Sequence, residues 1–235
     1  MKICLVPGLW CKESVLNSLS DKLGLSGIES VCFEPERSEG EGFYKRLSQL
    51  QQFVEANDIK YLVGHSLGGL LVAKLANRLP GQFKKIIILS PAQPQGVSFR
   101  SFPFFNLTQL RCYIWNAPLL DQDWILPPKR FFEKLFFNQH EFLELRWNYD
   151  LDFVSEPRNL VKDVVTPTIP LHQITCPTMV MIGYQDLAVS PRAVKKFCQK
   201  FLSSVPIIFG ADDHMSLLQN RQAGEAIVRY LKNAE

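Results

Sequence analysis

The sequence predicts an α/β fold, a doubly wound and mostly parallel sheet of about six strands interrupted by a helical insertion. Two observations predict it. Short apolar runs alternate with helical stretches along most of the chain, the pattern of strand–helix–strand units. At Gly64–Gly68 one of these runs turns sharply, as Gly-His-Ser-Leu-Gly, into a helix. With 235 residues and 46% hydrophobic side chains, the chain suits one domain with a large core, or a domain with an insertion.

The elements follow in order. A strand over 2–6 runs into Pro7 and Gly8, a helix spans about 12–23, and a second strand covers 29–33. A helix at about 42–56 leads to the strand at 59–63, whose apolar run meets the turn. Helix 68–79 and strand 84–89 close the first half. Alternation resumes with an uncharged strand at 177–182, Pro-Thr-Met-Val-Met-Ile. Helix 191–201 follows, with Pro191 in its first turn, then strand 205–209 and a helix at about 219–232.

The turn is a G-x-S-x-G segment. Such a pattern arises by chance in about one chain in ten of this length, so the flanking strand and helix carry the inference. A serine at the apex of a strand–turn–helix is held in strained backbone with its Oγ exposed. Gly64 and Gly68 let strand and helix approach closely. The N–H groups that open the helix favour negative charge beside the serine.

Two further groups follow Ser66 in sequence. Asp186 lies just past the strand at 177–182, on the edge of a parallel sheet where ligands bind. His214 follows the strand at 205–209 through Gly210, Ala211, Asp212 and Asp213. Of the other three histidines, His140 and His172 have no strand end before them, and His65 sits inside the turn with its side chain directed away. A serine hydroxyl needs a base within hydrogen-bond reach to act as a nucleophile. Imidazole can take that proton and return it near neutral pH. A carboxylate on the other ring nitrogen fixes the tautomer. Asp186 is the expected orienting acid; Asp212 and Asp213 shape the loop, and Asp163 is the weaker rival.

On Ser66, Asp186 and His214, in that chain order, the sequence resembles the α/β-hydrolase superfamily over nearly the whole chain outside the insertion. The resemblance implies an α/β-hydrolase core at 1–96 and 166–235 and a helical cap at 97–165. It also implies an oxyanion hole from the backbone N–H of Leu67 and, by position, of Leu9 in the Val6-Pro7-Gly8-Leu9-Trp10 loop. Many relatives carry His-Gly where this chain has Pro7-Gly8. Proline has no N–H, but it is not the expected donor, so the departure touches the support of the loop.

The insertion holds fifteen of the chain's 27 aromatic residues, and the stretches 129–138 and 139–149 have helical spacing. A cap needs an apolar underside, which accounts for many of these rings; others would line an acyl pocket. Phe102, Phe105, Trp124 and Phe136, with Trp10 from the core, are the candidate substrate-binding residues.

The net charge of +3 is mild, and Lys84-Lys85 and Lys195-Lys196 are isolated pairs expected to solvate the ends of elements. Nucleic-acid binding gains nothing from this pattern; an acyl carrier protein is allowed as a partner but not indicated. Six cysteines without a C-x-x-C read as reduced thiols, with no metal site and no cofactor. The apolar run before Pro7 is too short for a signal peptide, and no run of about 18 apolar residues exists, so the cytoplasm is the expected location.

The expected function is hydrolysis of a small to medium carboxylic ester or thioester through an acyl-enzyme on Ser66. Within the same chemistry the resemblance also allows a lysophospholipid or monoacylglycerol lipase, or a methyl-ester hydrolase acting on acyl carrier protein. Peroxidase-like members, lyases and C–C bond hydrolases use a similar set of residues. The rival from another class is a binding module that keeps the fold without catalysis.

Overall fold

The computed structural model describes residues 1–96, 123–126, 129, 148–165, 169–202, 204 and 206–233. Its main sheet has the strands β1 (Lys2–Val6), β2 (Glu29–Cys32), β3 (Tyr61–His65), β4 (Lys85–Leu89), β7 (Thr178–Gly183) and β8 (Pro206–Phe209). All neighbours are parallel, in the order β2-β1-β3-β4-β7-β8. The expected six-stranded parallel sheet is thus the observed one. Every residue of β3 and β4 is buried, as mostly apolar runs covered on both faces must be. The strand order reverses between β1 and β3. The loops leaving their C-terminal ends therefore flank a crevice at a topological switch point, the usual ligand site of such sheets.

Among the described residues the helices are α1 (Asn17–Leu25), α2 (Phe43–Ala56), α3 (Leu67–Arg78), α4 (Tyr149–Asp152), α5 (Arg158–Val165), α6 (Pro191–Cys198) and α7 (Arg221–Lys232). Several boundaries differ from expectation for local reasons. The first helix opens as a 3-10 turn, Glu13–Leu16, with no side-chain cap. The helix after β7 stops at Cys198, because Phe201 bridges to Ile174. Asn220 caps α7 by accepting from the Ala223 N–H, so the last helix starts at Arg221 and a 3-10 turn precedes it. Lys85 does not solvate a strand end. It is buried, and its Nζ donates to the carbonyls of Tyr230, Leu231 and Asn233 at 2.8, 3.3 and 3.0 Å. There it neutralises the negative end of α7.

Between β4 and β7 the described residues include a short antiparallel ladder, β5 (Trp124–Ile125) on β6 (Glu156–Pro157). This stem docks on the loop after β1. Val154 N–H donates to Trp10 O, Lys12 N–H to Asp152 O and Trp10 Nε1–H to Ile125 O, each at 2.9 Å. A buried ion network joins the stem to α2: Arg46 pairs with Glu41 and, at 2.8 Å, with Glu156, while Arg37 reaches Glu156 at 3.4 Å. Two acids and two bases balance, and Arg46 is 4% exposed. Removing one partner strands a buried charge, which costs about 3 kcal/mol or more. Glu156→Ala is therefore expected to lower Tm by roughly 10 °C, read by thermal unfolding. An unchanged Tm would show that the network stabilises nothing. The expected helices at 129–138 and 139–149 lie outside the described residues except for 129, 148 and 149, of which Tyr149 opens α4, and Phe102, Phe105 and Phe136 lie outside them altogether.

Candidate active site

β3 extends two residues past its expected end, so His65 closes the strand and Ser66 is the first residue off it. Ser66 has φ 53° and ψ −116°, outside every well an L-residue favours. Such backbone costs about 1–3 kcal/mol and persists only where neighbours hold it. Here they do: Ser66 N–H donates to Leu89 O at 2.9 Å, and Ser66 O accepts from Ala92 N–H at 2.9 Å. α3 then starts at Leu67, so its unpaired N–H groups open beside Ser66. The turn is tight enough to exclude side chains. A Cβ at Gly68 would sit 2.1 Å from Val6 O, and one at Gly8 would sit 3.0 Å from Ser66 Cβ. The end of β1 and the Pro7-Gly8 backbone therefore lie against the serine turn.

Asp186 and His214 meet, although they lie 28 positions apart in the chain. His214 Nδ1 is 2.8 Å from Asp186 Oδ2, and both side chains are buried. Asp186 Oδ1 accepts from the N–H groups of Ala188 and Val189 at 2.9 and 2.8 Å. With both oxygens engaged as acceptors, the carboxylate takes its bond from a protonated Nδ1. The two loops are sewn together as well: Gln185 N–H donates to Asp212 O at 2.9 Å and Tyr184 N–H to Phe209 O at 2.7 Å.

Asp212 and Asp213 hold the histidine loop. Asp212 Oδ2 accepts from Asn220 Nδ2 at 2.6 Å, and Asp213 Oδ1 accepts from the N–H groups of Met215 and Ser216. Burial raises the Asp212 carboxyl, opposed by its bonds from Asn220 and Ser216. Asp163 is engaged elsewhere. Its Oδ2 accepts from Phe43 N–H at 2.9 Å, capping α2 in place of Gly42, which has no side chain to do so. Trp10 has φ 64° and is buried, its indole tied to Ile125. Trp124 is 37% exposed, on the β5–β6 ladder.

A model of the alpha/beta hydrolase family matches residues 5–229. The chain belongs to that family. An esterase from Exiguobacterium antarcticum superposes on this α/β hydrolase with a TM-score of 0.77 at 17% identity, covering 99% of this chain and 92% of that one. A thermophilic esterase from Thermogutta terrifontis gives 0.74 at 15%, covering 99% and 89%. The monoacylglycerol lipase of Paleococcus ferrophilus gives 0.68 at 17%, covering 98% and 91%. At these identities the likeness speaks for the fold. No curated protein matches the chain in sequence.

Sequence reasoning placed His65 wrongly in this α/β hydrolase. Its side chain is not directed away. It is fully buried, its ring centroid lies 4.8 Å from that of His214, and its Nε2 is 3.0 Å from the His214 carbonyl. Burial, then the neighbouring His214, pushes its pKa down to about 3 from 6.5. In the unfolded chain the ring returns to 6.5, so between these values the unfolded state binds the extra proton. Stability therefore falls as pH drops through 6.5 and stops falling on this account near pH 3. Between pH 7 and pH 5 the loss is about 2 kcal/mol. Denaturant titrations should show this loss in the parent and lack it in His65→Gln. Parallel pH dependences would mean that His65 is already protonated in the fold.

Ser90 was also missed. It follows β4 with φ 43°, is fully buried, and its Oγ has no hydrogen-bond partner among the described residues. Among the described residues no helix is long and apolar enough to cross a membrane. The cysteines Cys4, Cys11, Cys32, Cys176 and Cys198 are free, and burial raises the thiols of Cys4 and Cys11.

Proposed function

We propose that the protein is a serine hydrolase of carboxylic esters or thioesters, with Ser66 as nucleophile, His214 as base and Asp186 as the group that orients it. The observation that carries this reading is the buried Asp186–His214 pair at 2.8 Å on the sheet edge that also bears the strained Ser66 turn. Nδ1 of His214 serves the carboxylate, so Nε2 takes the Ser66 proton as Oγ attacks the acyl carbon. The carbonyl oxygen becomes an oxyanion held by the N–H groups of Leu67 and Leu9. Preorganised donors of this kind supply about 3–4 kcal/mol each. His214 then protonates the leaving alcohol or thiol and activates the water that releases the acid.

Segment 97–165 acts as a cap over this edge, with its aromatic rings limiting acyl length. Esterases and monoacylglycerol lipases among the structural neighbours support small to medium acyl esters, monoacylglycerol included, as the substrates to try. Initial rates on p-nitrophenyl esters from acetate to palmitate test the reading. Turnover with an optimum in the short to medium range is expected. A folded protein that cleaves none of them, nor monoacylglycerol, refutes it and favours a binding module.

A further inference from the structure

We propose that His65 is a positioning residue for His214, holding the backbone of the base through a donor on its ring. This rests on the ester-hydrolase reading for its meaning in catalysis, and on four observations for its geometry. First, His65 is the last residue of β3, anchored in the centre of the sheet and joined directly to Ser66. Second, a carbonyl oxygen can only accept, so the 3.0 Å contact with His214 O fixes the proton on Nε2 of His65. Third, the rings pack at 4.8 Å with a 51° tilt, which leaves the His214 ring little room to swing away from Asp186. Fourth, Nδ1 of His65 is buried and has no hydrogen-bond partner among the described residues.

That orphan nitrogen explains part of the surrounding sequence. A Cβ at Gly8 would lie 3.2 Å from it, a tight approach, and 3.5 Å from Cys11 Sγ, so glycine leaves the ring its room here. Among the described residues, His214 from the loop after β8 is the titratable group shown against His65, and Cys11 from the loop after β1 lies across the Gly8 backbone. Burial keeps the Cys11 thiol protonated and neutral. When His214 takes the Ser66 proton, its imidazolium meets a neutral ring, and no second positive charge opposes the transfer. An unpaired nitrogen costs stability, and the return is a base held by its backbone at one end and by Asp186 at the other.

His65→Phe keeps a ring of similar size and drops the donor. His65→Gln drops the ring and offers an amide N–H at the reach of Nε2. His65→Phe is expected to lower kcat by about 10- to 100-fold with KM nearly unchanged, the effect of loosening a catalytic group by a fraction of an ångström. His65→Gln is expected to recover most of that loss. A second readout needs no turnover: the downfield proton resonance of the Asp186-bound His214 Nδ1–H should persist in the parent and in His65→Gln. It should broaden or vanish in His65→Phe. If His65→Phe matches the parent in both kcat and resonance, the positioning role is overturned while the hydrolase reading stands. If the parent turns over no ester but its resonance depends on His65, the positioning role stands and the hydrolase reading fails. Loss of kcat in both variants with an unchanged resonance assigns the effect to packing and overturns the proposal.

Discussion

Ser66→Ala is expected to lower ester turnover by about four to six orders of magnitude while leaving Tm within about 2 °C of the parent. The two effects separate because Ser66 serves chemistry and not packing. Its backbone carries the structural work: the N–H bonds Leu89 O, the carbonyl holds Ala92, and the strained φ of 53° is set by these ties. Alanine accepts the same backbone at the same cost, so the fold does not register the change. The hydroxyl is another matter, because removing it leaves no atom to form the acyl-enzyme. The residual rate would come from binding and from the oxyanion donors alone. A variant that keeps the parent's turnover would mean that the nucleophile lies elsewhere.

Asp186→Asn is the second large effect, with kcat expected to fall by about 10⁴-fold. The amide oxygen stays with the N–H groups of Ala188 and Val189, which demand an acceptor. The amide nitrogen then faces His214 Nδ1 and, being a donor, forces that nitrogen to accept. The ring proton moves to Nε2, the nitrogen that must be bare to take the serine proton. KM should change little, since neither state alters the acyl pocket. Asp163→Asn is the control: it can still cap α2 through its amide oxygen and should stay within a few-fold of the parent. The reverse ranking, measured as kcat for both variants, would reassign the acid.

The parallel sheet was legible because most of its strands are short apolar runs and helical stretches alternate with them. Ser66, Asp186 and His214 each follow such a strand in the sequence, and the parallel sheet puts those three strand ends on one edge. What escaped was set by contacts between segments far apart in the chain. His65 appeared to point away because the turn was assumed to begin at Gly64; β3 runs to His65, and its ring meets a residue 149 positions later. Asp163 appeared available because a helix cap 120 residues distant has no local sequence signal. Lys85 read as a surface residue because its partners, the last carbonyls of α7, lie at the far end of the sequence. The Glu41–Arg46–Glu156 network is likewise invisible from spacing, since its members come from a loop, a helix and the stem of the insertion.

The most direct measurement is intact and peptide-level mass spectrometry of the protein after incubation with a fluorophosphonate. This reagent reports an activated serine without requiring knowledge of the natural ester. A single adduct on the peptide containing Ser66, absent from Ser66→Ala and strongly slowed in Asp186→Asn, is the expected result. A folded protein that takes no adduct, or takes it on another serine, would contradict the assignment of Ser66, His214 and Asp186 as a working nucleophile, base and orienting acid.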